Sequence, residues 1–278
     1  MNLDGSNYHS HEANMAYWSV SQVNRFAECP SAAIAEMAGQ HVREVSDDML
    51  IGSYVDRAVL TPGELTAWCE SHKADMVSEK TKKEYAWVAK AKAVAERALR
   101  DDTFRMALSG KAQVIVTWRM FGVDWKCAMD SVDETSNYFA DLKTCPSFAH
   151  SEWDETARTR LPWYDKYFRQ IAVYRRAFDG KYGKPADMAL IGYITKEDPP
   201  DIGLIEFGDQ HAPRFEYELR FIKEHIGTWD AMKRGTIPAA RCGSCAWCRK
   251  TKVLSLEDIV AARDWRSENR MRREGLGE

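Results

Sequence analysis

Apolar positions recur at two spacings along this chain, and the change from one to the other divides it. From Ser19 the period is helical: Ser19-Val-Ser-Gln22 reads as a capping box, and Val20, Val23 and Phe26 fall on one face. That helix ends at Glu28-Cys29-Pro30, where Pro30 suits the first turn of a second helix and Gly39 a C-cap near its end. Met49 to Leu60 predicts a third helix, closed by Pro62-Gly63, with Gly52 and Asp56 four apart on one face. Residues 64–72 and 79–100 follow as packing helices, the second long, charged and rich in Ala. The period then shortens to two. Ala112–Arg119 and Trp125–Val132 are predicted strands joined at Phe121-Gly122-Val123-Asp124, and Tyr138–Lys143 is a third beyond the turn-rich Asp133–Asn137. Helical spacing returns after Pro146, with a long helix from Pro162 to about Tyr182. Ala186–Thr195 and Gly203–Phe207 are two more strands, Ala212–Arg234 a helix, and Ser255–Arg273 a charged final helix.

This order predicts a mixed α/β (α+β) core with a helical N-terminal addition. Residues 1–16 show no period and are expected as a loose arm carrying solvated His9 and His11. The main domain is expected over 17–250, with a helical insertion at about 60–110, and the charged C-terminal helix over 251–278.

Composition narrows the class. The chain has 278 residues, 45% of them hydrophobic, which is enough for a sizeable core, and its net charge of −3 puts any nucleic-acid role on local patches. No run approaches the ~18 apolar residues of a membrane span, and residues 1–14 lack an apolar signal core, so the expected location is the cytoplasm. Seven cysteines are then expected to be reduced. Cys69, Cys127 and Cys145 are isolated and read as buried thiols, whereas Cys242, Cys245 and Cys248 form C-x-x-C-x-x-C, the spacing of a metal site. Cys29, at a helix junction, is open to a distant partner. His41, His72, His150, His211 and His225 fall in no ligand spacing and read as surface or capping residues.

The candidate chemistry gathers in Cys127–Thr144. Asp130 ends one strand, and Asp141 and Lys143 share a face of the next while Leu142 turns to the core. Two carboxylates and an ammonium would meet at one edge of a sheet, the minimum for holding a divalent metal over a phosphodiester. Charged residues at a sheet edge are also common without any function, so spacing alone leaves both readings open. Gln170 and Tyr174 share a helical face and can both donate to phosphate or sugar oxygens. Around them, residues 158–184 hold eight basic side chains, Lys166, Arg169, Arg175 and Arg176 among them, against Asp165 and Asp179. With interleaved aromatics this stretch reads as an amphipathic helix or as a groove tracking a nucleic-acid backbone.

Taken in order, Gly52-Ser-Tyr-Val-Asp56, Met129-Asp130, Asp141-Leu-Lys143 and Gln170-Ile-Ala-Val-Tyr174 resemble the PD-(D/E)XK nucleases of the RecB-like and RecE-like (exonuclease VIII) branch, across roughly residues 18–250. The resemblance implies a mixed central sheet flanked by helices, and Mg²⁺ or Mn²⁺ on Asp56, Asp130 and Asp141. It further implies that Lys143 polarises or deprotonates the attacking water, that Gln170 and Tyr174 organise the site and contact the strand, and that Lys166, Arg169, Arg175 and Arg176 follow the DNA. The family's first motif usually has a histidine four residues after the glycine, where this chain has Asp56. Similar exonucleases of CRISPR adaptation and of the AddB type tie one N-terminal and three C-terminal cysteines around a [4Fe–4S] cluster. Cys29, Cys242, Cys245 and Cys248 match that arrangement as a C-terminal clasp; the four suit an iron–sulfur cluster or zinc, with free thiols as a third reading, and their spacing leans to the cluster. Arg249, Lys250 and Lys252 beside it either touch DNA or solvate the loop.

The implied activity is a metal-dependent DNA exonuclease, 5′→3′ on linear duplex, leaving overhangs for a phage-type single-strand annealing recombinase. Ring-shaped homo-oligomers are common among such enzymes. Two alternatives remain at this stage: a catalytically degenerate DNA- or protein-binding module with a structural cysteine site, and an endonuclease or single-strand-specific enzyme on the same fold.

Overall fold

The computed structural model describes residues 2–154 and 157–254; the helix expected over 255–273 lies outside them. Residues 1–16, expected as a loose arm, instead carry α1 (His11–Ala16), with Ala13 fully buried. Lys126, itself buried, holds the arm by donating to the Tyr8 carbonyl and to Asn14 Oδ1. His9 is exposed, as expected, whereas His11, also exposed, has its Nδ1 within hydrogen-bond distance of the Met37 carbonyl.

Next come α2 (Val20–Glu28), α3 (Pro30–Met37), α4 (Asp47–Leu60), α5 (Pro62–Ser71) and α6 (Lys73–Met76). Ser19 caps α2 by accepting from Gln22 N, and Ser46 caps α4 by accepting from Met49 N. The helix expected from residue 79 begins only at Ala86, as α7 (Ala86–Arg100), because 77–85 form a tight loop closed by a Val77–Glu84 bridge. A further helix, α8 (Asp102–Ala107), leads into the sheet.

β1 (Lys111–Met120) and β2 (Val123–Asp133) are joined by two residues, shorter than the four-residue turn expected. Phe121 and Gly122 both take positive φ, +54° and +83°, the conformation whose twist matches paired strands. β3 (Tyr138–Cys145) follows. After Pro146, where helical spacing was expected to return, the chain first makes a small hairpin, β4 (Ser151–Asp154) and β5 (Thr159–Pro162), and the helix expected from Pro162 begins six residues later, as α9 (Phe168–Tyr182). β6 (Met188–Thr195), β7 (Ile202–Glu206), α10 (Ala212–Lys233) and α11 (Ala246–Lys250) are the remaining strands and α-helices of the described residues.

The main sheet has the order β1-β2-β3-β6-β7, with β3 and β6 parallel and the other neighbours antiparallel. Parallel pairing requires a long crossover, which α9 supplies. One face, with Met129, Phe139 and Ile191, packs against α2, α9 and α10; the other, with Ala140, Leu142 and Leu190, packs against α4, α7 and α8. The mixed α/β core with flanking helices is therefore as the sequence implied. Cys127 and Cys145 are buried as expected, while Cys69 is only half-buried. Among the described residues no helix is long and apolar enough to cross a membrane.

Candidate active site

β3 is the middle strand, so Asp130, Asp141 and Lys143 do not gather at a sheet edge as expected. They lie where two interior strands part. β2 and β3 pair only from Ser131–Asp133 to Tyr138–Ala140. Further along β2 the place of β3 is taken by Trp18, whose backbone exchanges 2.8 Å hydrogen bonds with Asp124 and Lys126. Backbone groups in the gap need other partners. The Tyr174 hydroxyl donates to the Ala128 carbonyl at 3.2 Å, and Leu142 N donates to Asp130 Oδ2 at 2.9 Å. Tyr174 thus helps to close the strand gap, and it lines a smaller cavity with Gln170 and not the one lined by Asp130 and Lys143.

A cavity of about 450 Å³ opens at this gap, lined by Asp56, Asp130, Lys143, Thr144, Tyr167 and the open backbone of Gly52. An added Cβ at Gly52 would meet Thr144 Oγ1 at 3.6 Å, an ordinary contact, so the glycine keeps space in the cavity and is not needed for helix–strand approach. Asp141, 2% exposed, backs the cavity. Its Oδ1 accepts from Gln170 Nε2 at 2.6 Å, and its Oδ2 forms an ion pair with Lys143 while accepting no well-formed hydrogen bond. The Lys143 ammonium sits 5.4 Å from the centre of the Tyr167 ring. Tyr167 was missed in the sequence; its spacing of three from Gln170 was a usable signal, but it lies in a 3₁₀ turn ahead of α9.

Three carboxylates face Lys143 and Arg57, and the electrostatics reflect the imbalance. Burial, and then the Asp141 charge, push the Asp130 carboxyl well above its ordinary range. Burial also raises Asp56, against the pull of Lys143 and Arg57. Burial alone would lower Lys143, but the charges of Asp141 and Asp130 outweigh it and hold the ammonium above its usual range. A partly buried set of oxygen donors with excess negative charge fits a hard divalent cation such as Mg²⁺ or Mn²⁺.

The expected DNA-tracking residues are all engaged. Arg169 Nε pairs with Glu218 at 2.9 Å and its Nη1 donates to Asn24; Arg175 pairs with Asp209, Arg176 with Glu216, and Lys166 with Glu152. The basic face of α9 is therefore neutralised largely by α10 and does not form the free groove expected. Glu218 also pairs with Arg214 at 3.0 Å and is 3% exposed. Removing one partner of a buried ion pair leaves the other charge uncompensated. Glu218→Ala is expected to lower stability by about 3 kcal/mol in urea denaturation, whereas Glu216→Ala, on the exposed pair with Arg176, changes it by less than about 0.5 kcal/mol.

A second centre lies at the opposite end of the chain order. Cys29, between α2 and α3, meets Cys242, Cys245 and Cys248 around α11, all four sulfurs lying within 4.8 Å of one another. Cys29 Sγ is 3.6 Å from Cys248 Sγ. Cys245 N donates to Cys242 Sγ at 3.3 Å, and with Ser244 it draws the exposed Cys242 thiol down to about 6, towards the thiolate a metal requires. Ser31 N to the Ala240 carbonyl (3.0 Å) and Trp247 Nε1 to Ser31 Oγ (3.1 Å) brace the same junction. Four converging thiols suit zinc or an iron–sulfur cluster. Arg249, Lys250 and Lys252 are exposed beside it.

The split sheet with its crossover helix, and a carboxylate cavity at the split, define a protein of PDDEXK-like fold. The chain belongs to the family described as a PDDEXK-like domain of unknown function (DUF3799), whose model matches residues 19–251. A solved structure from Eubacterium rectale, provisionally designated an exonuclease, is similar over 92% of this chain and 95% of its own, at 29% identity and a TM-score of 0.83. A second, SSO0001, covers 75% of this chain and 87% of its own at 14% identity, and its TM-score of 0.28 carries no argument. No curated protein matches.

Proposed function

We propose that this protein is a divalent-metal-dependent deoxyribonuclease acting on the ends of linear duplex DNA. The observation that carries the reading is the meeting of Asp56, Asp130 and Asp141 around Lys143. Family membership and the similarity to the Eubacterium rectale protein support it. Mg²⁺ or Mn²⁺ on these carboxylates would neutralise the phosphodiester and make water a stronger nucleophile. The chain's own residues do the rest. Lys143, held as an ammonium, is a donor to the attacking water or a phosphate oxygen before it is a base. Gln170 fixes the Asp141 carboxylate, and Tyr167 limits where the Lys143 ammonium can sit.

Asp56 replaces the histidine of the related motif with an oxygen donor in the same cavity, which favours an enzyme over a degenerate binding module. Attack by water that leaves a 5′-phosphate, 5′→3′ polarity, overhangs passed to an annealing recombinase, ring assembly and an iron–sulfur cluster at the cysteines are the finer parts of the proposal. They are supported by the four ordered motifs and the C-x-x-C-x-x-C spacing.

End-labelled linear duplex, covalently closed duplex and single strands, each with Mg²⁺ or Mn²⁺ and with chelator, test the reading. Linear duplex is expected to be degraded from its ends and closed circles to survive. A purified protein that cuts none of these with either metal refutes nuclease function, and one that cuts closed circles is an endonuclease.

A further inference from the structure

Among the described residues that combine positive φ with a side chain, Gln113 alone lies within a strand, at φ +50° in β1. Glutamine in that conformation costs on the order of 1 kcal/mol or more. Hairpin pairing does not call for it. The β1–β2 register runs Lys111↔Val132 and Ala112↔Ser131, then resumes at Val114↔Met129, omitting Gln113 opposite Asp130. The β2–β3 register stops at Ser131↔Ala140, one step short of Asp130. Asp130 is therefore dropped from the ladder on both sides, by a strained residue on one and by strand separation on the other.

The side chains make the arrangement specific. Gln113 Nε2 donates to Asp130 Oδ1 at 3.3 Å, while Leu142 N donates to Oδ2 at 2.9 Å. Each carboxylate oxygen has one donor and keeps a further lone pair. Gln113 lines a second cavity, of about 560 Å³, that shares Ser53, Asp56 and Arg57 with the first, whereas Asp130, Lys143 and Tyr167 line the first.

We propose that Gln113 is a positioning residue: its left-handed backbone places its amide on Asp130 Oδ1 and fixes the carboxylate in the orientation that takes a metal ion. This rests on the reading of Asp130 as a metal ligand. The rule behind it is that groups orienting a ligand govern metal affinity, typically by 10- to 100-fold.

Gln113→Gly and Gln113→Ala separate the amide from the backbone. Glycine accepts positive φ without steric cost and alanine does not, yet both lose the amide. In the full-length protein, Mn²⁺ binding is measured by electron paramagnetic resonance without DNA, melting is measured in chelator, and kcat and KM are measured on linear duplex. Both variants are expected to bind Mn²⁺ about tenfold more weakly or worse and to lose kcat at unchanged KM, with the glycine variant melting no lower than the alanine variant. Gln113→Asn, tolerant of the same φ but one methylene short, is expected to lose the same affinity and serves as the test should glycine fail to fold. A folded glycine or asparagine variant that binds Mn²⁺ within about twofold of the parent overturns the role of Gln113. A parent that neither binds Mn²⁺ nor cuts DNA overturns the nuclease reading instead.

Discussion

Asp130→Asn is expected to reduce metal-dependent cleavage by about 10³-fold, roughly 4 kcal/mol of transition-state stabilisation, and yet to leave the metal-free protein at least as stable as the parent. Both effects have one cause. Asp130 is held beside Asp141 and Asp56 in a partly buried cavity where only Lys143 and Arg57 offset them, and its carboxyl titrates well above the unfolded value of 3.8. A folded state that binds a proton more tightly than the unfolded state loses stability as pH rises from the unfolded pKa through the folded one. Asp130 and Asp56 therefore work against the metal-free fold above about pH 4, increasingly up to their raised values. Asparagine removes the Asp130 share. Its oxygen can still accept from Leu142 N, and the Gln113 amide can turn to accept from its NH₂ group. Urea denaturation of both proteins in chelator across this pH range gives the measurement: the difference should move in favour of the variant as pH rises, and excess Mg²⁺ or Mn²⁺ should stabilise only the parent. A variant that is less stable than the parent at every pH, or one that still cuts, sinks the account.

The reach of the sequence can be judged from the same residues. Asp141-Leu-Lys143 was legible because strand alternation alone puts the two charges on one face, and Gln170 because helical spacing turned it to the same side as Tyr174. The separation of β2 from β3 was not legible. It depends on Trp18, over a hundred residues earlier, taking the edge of β2, and no local pattern announces that. The hydrogen bond of Tyr174 to Ala128 follows from that gap and was no more legible than the gap itself. The basic stretch 158–184 misled for a related reason: charge counted along the chain cannot see Glu216 and Glu218 on α10, which fold back onto Arg169 and Arg176. Gln113 was invisible because a left-handed φ at glutamine follows from its surroundings and not from its own propensity.

The cysteine centre carries the other large effect. Its four thiols join a residue at the α2–α3 junction to three around α11, so a metal bound there closes a loop of roughly two hundred residues in the unfolded chain. On the chain-entropy scale for a cross-link of that span, closure stabilises the fold by about 5 kcal/mol, or about 10–20 °C in melting temperature for a domain of this size. The local protein contacts, two hydrogen bonds made by Ser31 and a small apolar cluster of Cys29, Ala32 and Cys248 with Cys245 and Trp247 packed on it, are too few to replace it. Cys29→Ser is the sharpest probe, because Cys29 alone links the N-terminal half to the other three. It should lower the melting temperature of metal-loaded protein by about that amount while leaving the protein depleted of its cysteine-bound metal nearly unchanged. Elemental analysis of the same preparations, reading iron and sulfide against zinc, identifies the occupant, and a brown colour lost in the variant goes with the cluster. If Cys29→Ser melts with the parent when both are loaded, the clasp does not hold the two ends together, and the convergence of four sulfurs within 4.8 Å is packing alone.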